Sequence, residues 1–410
     1  MQHSLFIFGY NYIIREKSER KYNFMKKETL SRRERVMRAV EHKPVDRTPI
    51  DLGVHYSTGI SAFAYQNLRE YLGIPKKKIE VIDTFQFLAR VDEDILERFH
   101  CDCILFHPGY PTTKTWKPRE HYEFEISGAI NPTPDDDGAW IFSGNDGQGR
   151  MKSPAGGYFF DGIGFDTWGS QLDFNTEVAK HVEKIYKETD YFTLYVGGGT
   201  GYFSDSPDFL VKIMLEPEEV TKDCAAGYDW SEKATADIIK KCGNYIQGIC
   251  IGSDLGTQAA PFVRPAIYAD LFAPWIKKYI DFVKANSDYK VFFHTCGAME
   301  PFIPILIQCG VDILNPVQVS CKNMEPFALK KNYGDNICFW GGGCDTHGAF
   351  GTGTPEQVAG NVRYLMSALA PNSGFVFNQV HNIMGNVKPE NIVAMLDTAY
   401  EESFKYGNLI

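Results

Sequence analysis

After residue 175 the chain settles into a rhythm that few folds accommodate. Apolar, strand-like runs at Phe192 to Val196, Gly248 to Ile251, Lys290 to His294, Ile313 to Leu314, Cys338 to Trp340 and Gly374 to Asn378 alternate with helical stretches. The stretches are Val211 to Leu215, Tyr228 to Lys241, Ala266 to Ser287, Met299 to Cys309, Pro355 to Leu369 and Lys388 to Lys405. Strands joined through helices lie parallel. Just past each strand stands a polar or glycine-rich run: Gly197-Gly198-Gly199-Thr200, Gly252-Ser253-Asp254-Leu255-Gly256, His294-Thr295-Cys296-Gly297, Asn315-Pro316-Val317-Gln318, Gly341-Gly342-Gly343-Cys344-Asp345 and Asn378-Gln379-Val380-His381-Asn382. In a (β/α)8 TIM-type barrel all strand C-termini converge on one face, so these runs are expected to build one pocket. The rival is an open, doubly wound sheet, which gathers fewer strand ends and carries a GxGxxG run after its first strand; no such run occurs.

The barrel is expected to occupy residues 25–410 as a single domain, with Thr29 to His42 as an amphipathic opening helix and Thr48 to Leu52 as a first strand. A further strand is expected at Ile104 to Phe106. Residues 110–170 break the rhythm with dense Gly, Pro, Asp and aromatics, and read as a hairpin-rich insertion or lid, with β-like runs at Trp140 to Phe142 and Tyr158 to Phe160. Residues 1–24 read as an N-terminal extension over the barrel, or as a product of start-site choice. Their apolar run Leu5 to Ile14 has no preceding cationic region and is too short to span a bilayer. The formal net charge of −10 argues against general affinity for nucleic acid or an anionic membrane. Ten cysteines without framework spacing, and no export signal, point to a reduced cytosol. Nothing sets the oligomeric state, and a homo-oligomer is compatible with the sequence.

His294 and Cys296 flank one residue at a strand end. Extended residues i and i+2 point to the same side, so imidazole and thiol can reach one ion. Such donors suit Zn²⁺, which in catalytic sites takes about three protein ligands and one open position. Cys344, another strand-end cysteine behind a glycine run, is the expected third ligand. His381 is read as a further ligand or as a group that binds or protonates substrate. Asp254 and Asp345 stand at strand ends, where a carboxylate can orient a ligating histidine, act as general acid or base, or cap a helix. Gln318 and Asn378 are expected to contact substrate. Asp102 and His107, near the strand at Ile104, are read as evenly balanced between structure and function. The other eight cysteines, including Cys309 and the Cys101-Asp102-Cys103 triplet, read as packing groups.

These segments, with Gly310 to Gln318, Trp340 to Thr346, Phe377 to Ile383, Arg32 to Val36, Asp46 to Pro49 and Gly252 to Gln258, resemble the uroporphyrinogen decarboxylase superfamily over about residues 28–405. Within it the likeness is to the corrinoid-dependent methyltransferase branch. The resemblance implies a (β/α)8 barrel, a zinc ion, and exchange of a methyl group with a corrinoid carried on a separate protein. In the branch serving coenzyme M, the resemblance implies a His-x-Cys pair, matched by His294 and Cys296, plus a later Cys beside the final strand. Here that later place holds His381, and Cys344 lies one strand earlier, which leaves the third ligand open between them.

The arginine-rich stretch with which true uroporphyrinogen decarboxylases grip carboxylates has no counterpart: residues 50–70 contain only Arg69. The expected activity is therefore methyl transfer between a small O- or N-methyl compound and a corrinoid protein. Transfer from a methylcorrinoid protein to a thiol, and a non-catalytic tetrapyrrole- or corrinoid-binding barrel, are the alternatives. The chain has no Asp-x-His-x-x-Gly segment to coordinate cobalt, so the corrinoid must come from a partner. The aromatics Trp116, Trp140, Tyr158, Phe159, Phe160 and Trp168 are candidates to wall a substrate, or to pack as core.

Overall fold

A computed structural model describes residues 28–408 apart from 145–146, 148–149, 159, 164–172 and 201. The N-terminal extension, Phe159 and Trp168 therefore lie outside the described residues.

The protein is an α/β fold built on a six-stranded parallel sheet of Leu194–Thr200, Gly248–Gly252, Lys290–His294, Ile313–Asn315, Cys338–Trp340 and Phe375–Val376. Each strand pairs with the next in sequence, with none of the order reversal that a doubly wound sheet requires. Of the two earlier expected strands, Thr48 to Leu52 holds a single parallel bridge, Ile50 to Phe377, and Ile104 to Phe106 is not a strand, the bridge Cys103 to Phe192 falling one residue before it. Around them, Phe377 N–H donates to Pro49 O (2.8 Å), Asp51 N–H to Phe377 O (2.9 Å), Asp102 N–H to Ile50 O (2.7 Å), and Phe192 N–H to Asp102 O (2.9 Å). Backbone hydrogen bonding thus runs from the last strand through residues 49–51 and 102–104 to the segment that enters the first.

Burial follows the alternation of the strands. Leu194, Cys250, Phe292, Ile313, Cys338 and Val376 join Cys103 and Trp340 in one inner cluster, covered by Val36, Ala39 and Val40 of the opening helix. That helix is Arg32–Val40, capped by the Ser31 side chain, which accepts from Glu34 N–H. A larger cluster packs the sheet's outer side against the helices.

Local chemistry explains where helices depart from expectation. Ala266 to Ser287 is two helices, Pro265–Leu271 and Ala273–Asn286, because Pro274 has no N–H to continue the first ladder. Pro217–Cys242 runs 26 residues, twelve of them before Asp229, where polar side chains hide a helix that buries only Val220, Cys224 and Tyr228. Pro355–Leu369 keeps its expected bounds because Thr354 and Gln357 form a capping box.

The insertion contains the antiparallel meander Ile130–Pro134, Trp140–Gly144, Arg150–Ser153, Asp161–Ile163, with Trp140 to Phe142 in a strand as expected. Tyr158 is not in a strand. Trp116 is buried against Phe142 and Phe160 of the insertion and Phe87 outside it, so these aromatics pack as core where the insertion meets the rest of the protein. At the N-terminal end of the strands, the fully buried Asp102 receives Arg35 Nη1 (2.6 Å), Arg47 Nη1 (2.8 Å) and Ile50 N–H (2.8 Å). Asp102 is therefore a structural pin joining the two bridge segments. His107 is likewise buried, its Nδ1 accepting from Gly109 N–H at 3.0 Å.

Candidate metal centre

Register assembles the site. In the parallel pairing, His294 lies beside Gly252 on one side and Asn315 on the other, all at strand C-termini. His294 Nε2 stands 3.7 Å from Cys296 Sγ. His381, in the loop after the last strand, completes the set: one ligand atom from each of His294, Cys296 and His381 lies within 4.8 Å of the others. Among the described residues this is the one such group of three.

The segment between strand and helix is held by backbone donors. Thr295 N–H donates to Asn315 O (2.7 Å), and Thr295 Oγ1 accepts from Leu255 N–H (3.1 Å). Cys296 N–H donates to Asp254 Oδ1 (2.8 Å), and Gly297 N–H donates to Gln318 Oε1. Gly297 has φ +101°, and a Cβ there would collide with Gly256 O, so only glycine fits this turn against the neighbouring loop. Asp254 Oδ1 is also 3.9 Å from His294 Nε2, so this carboxylate faces the trio while gripping its backbone.

Burial sets the protonation states. It pushes the pKa of His294 down, against the opposing pull of Asn315 and Asp254, and takes His381 to about 4. Both imidazoles are neutral and able to ligate near pH 7. Burial, then the nearby Asp254 charge, pushes the Cys296 thiol well up, so a cation arriving there must displace its proton. Two nitrogens and a sulfur from two segments, the end of the Lys290–His294 strand and the loop at His381, are a donor set that suits tetrahedral Zn²⁺.

Cys344 is not in this group. Gly343 N–H donates to Asn378 O (2.8 Å) and Val380 N–H to Cys344 O (2.9 Å), and a Cβ on Gly343 would run into the Phe377 ring. The glycine run lets two strand-end backbones approach each other and leaves the Cys344 thiol fully buried. Asp345 accepts from His347 N–H (3.0 Å) through Oδ1, and lies 3.9 Å from that residue's Nδ1. Gln318 and Asn378 are both buried, and their amides serve the backbone: Asn378 Nδ2 donates to Asp51 O (3.1 Å) and Thr58 O (3.3 Å).

Two neighbours of the trio escaped the sequence reading. His55 is buried, with its ring 5.1 Å from that of His294 and its Nε2 3.3 Å from Cys250 Sγ. Asn315 Oδ1 is 2.9 Å from His294 Nδ1. The signal for His55 was present, because Gly53 to Gly59 is the same polar, glycine-bearing run that follows the later strands.

Comparison with known proteins bears on the C-terminal half. Residues 204–402 match the family model for uroporphyrinogen decarboxylase (URO-D). A curated uroporphyrinogen decarboxylase of Chlorobaculum tepidum is 25% identical over 142 residues, 34% of this chain and only 38% of the relative's own length. Among solved structures, a methyltransferase from Methanosarcina mazei aligns over 90% of this chain and 98% of its own, with TM-score 0.48 and 12% identity. The carboxyl transferase domain of Rhizobium etli pyruvate carboxylase aligns over 57% of this chain and 28% of its own, with TM-score 0.19 and 11% identity. These two structural similarities are too low to decide fold or activity. The matched region, just under half of the chain, contains His294, Cys296 and His381, so the part of the chain that holds the trio is similar to the uroporphyrinogen decarboxylase family.

Proposed function

We propose that the chain is a zinc-dependent methyltransferase that moves a methyl group between a small O- or N-methyl compound and a corrinoid held by a separate protein. The observation that carries this reading is the convergence of His294, Cys296 and His381 within 4.8 Å at the strand C-termini. On the same reading, the bridge segments at Ile50 and Cys103 are the remaining two strands of a closed (β/α)8 barrel, with the trio at its mouth.

Zinc bound there would act as a Lewis acid on the heteroatom that carries the methyl group. The chain's own part is to hold three ligands in fixed geometry, keep both imidazoles neutral, and aim Asp254 at the site. On this reading His381 serves as a ligand and not as a proton donor, because burial takes its pKa to about 4. On the same reading Asp345 and His347 are proposed to serve a substrate as polar groups beside the site, while Gln318 and Asn378 act through the backbone they hold.

Decarboxylation of a polycarboxylate is poorly served. The groups that shift His294, Cys296 and His381 include Asp254, Cys321, His347 and, through His55, other imidazoles, with no lysine or arginine among them within the described residues. Without cations, several substrate carboxylates would be desolvated unpaired, which is costly.

The test is methyl transfer from a panel of methoxy-aromatics and methylamines to cob(I)alamin or a corrinoid protein, followed by the absorbance change of the corrinoid. Turnover that requires both zinc and corrinoid supports the reading. Methyl transfer to a final acceptor, or CO₂ release, with no corrinoid present overturns it.

A further inference from the structure

We infer that Asn315 is a positioning residue that selects the tautomer of His294 and thereby presents Nε2 to the metal position; this rests on the reading of the trio as a metal site. The strand register sets Asn315 directly beside His294. Its amide orientation is fixed by its surroundings. Nδ2 donates to Trp340 O (3.0 Å), while Oδ1 lies 2.9 Å from His294 Nδ1 and accepts from Ser57 Oγ (2.7 Å). A flipped amide would set oxygen against the Trp340 carbonyl oxygen and leave both without a proton between them.

An amide oxygen only accepts, so the His294 proton must sit on Nδ1. A neutral imidazole has one such proton, and Nε2 therefore keeps its lone pair. Nε2 is the atom that faces Cys296 Sγ at 3.7 Å. Selection is needed because Asp254 Oδ1, 3.9 Å from Nε2, favours the opposite tautomer by offering Nε2–H an acceptor. Asn315 is also held from behind. It is fully buried, and Ser57 Oγ, bonded to its oxygen, lies 2.7 Å from His55 Nδ1. His55 reaches on to Cys250 Sγ, so the amide has no room to swing.

The test reads the tautomer in the zinc-free protein from the imidazole nitrogen shifts of isotope-labelled chain near neutral pH. Zinc affinity is measured beside it by chelator competition. Wild type is expected to show His294 protonated on Nδ1. Asn315→Ala should move the proton toward Nε2 and weaken zinc binding by about 10–100-fold. Asn315→Asp keeps an acceptor and should retain the Nδ1–H form. An Asn315→Ala protein that keeps both the Nδ1–H tautomer and full affinity overturns the inference. If that variant does not fold, loss of the Nδ1–H form in Asn315→Asp does the same. A tautomer change in Ser57→Ala but not in Asn315→Ala would also overturn it. Because the shifts are read without metal, a wild-type protein that binds no zinc defeats the metal reading and still leaves the tautomer assignment open to this measurement.

Discussion

The Tyr158 ring occupies the space that a side chain at residue 385 would need, so that a Cβ built on Gly385 would stand 2.5 Å from Tyr158 Cδ1. Gly385 lies four residues beyond His381, on the loop whose Asn382 Oδ1 accepts from Gly59 N–H (3.1 Å). Tyr158 is fixed in turn by Phe63, edge-on at 5.3 Å, and by the Arg119 guanidinium 4.9 Å from its ring centroid. The insertion thus packs against the loop that carries one of the three candidate ligands.

Gly385→Ala should cost about 1–3 kcal/mol in denaturant unfolding, the usual range for overpacking. Tyr158→Ala on the same background should recover most of that loss, since the two positions share one volume. Purely additive effects would show that this contact is not made.

Asp102→Asn tests the pin at the opposite end of the strands. It removes the carboxylate shared by the buried Arg35 and Arg47, and breaking a buried pair from one side typically costs about 3–5 kcal/mol. Chemical denaturation should show that loss while any folded fraction binds zinc as wild type does. A loss of metal affinity with unchanged stability would contradict the structural assignment of Asp102.

Zinc affinity should rise with pH. His381 titrates at about 4 and His294 is lowered by burial, so neither imidazole competes with metal near neutrality. The Cys296 thiol, raised by burial and Asp254, must give up one proton on binding. Affinity should therefore increase about tenfold per pH unit through the neutral range and fall more steeply below about pH 4, where His381 also gains a proton. Titration calorimetry in buffers of different ionisation enthalpy reads the proton count. Cys296→Ala should flatten the neutral slope.

Where the sequence was readable, local punctuation and register agree. Lys290–His294 and Cys338–Trp340 have the expected bounds, because each ends where a polar or glycine run begins. His-x-Cys placed two ligands because an extended backbone enforces the spacing. Cys344 was weighed above His381 as the third ligand because glycines before a cysteine suggest close approach to a site. The structure uses that approach for backbone pairing with residues 378–380 instead. The run around His55 was legible but passed over, whereas the hydrogen bond from Ser57 to Asn315 spans 258 residues and no local pattern encodes it.

The most direct test of the site is zinc content per chain, measured by elemental analysis on wild type and on His294→Ala, Cys296→Ala, His381→Ala and Cys344→Ala, with folding checked by circular dichroism. The account predicts about one zinc in wild type and in Cys344→Ala, and a large loss in the other three, as expected when one ligand of a small set is removed. A folded His381→Ala protein that keeps its zinc while Cys344→Ala loses it would contradict the account.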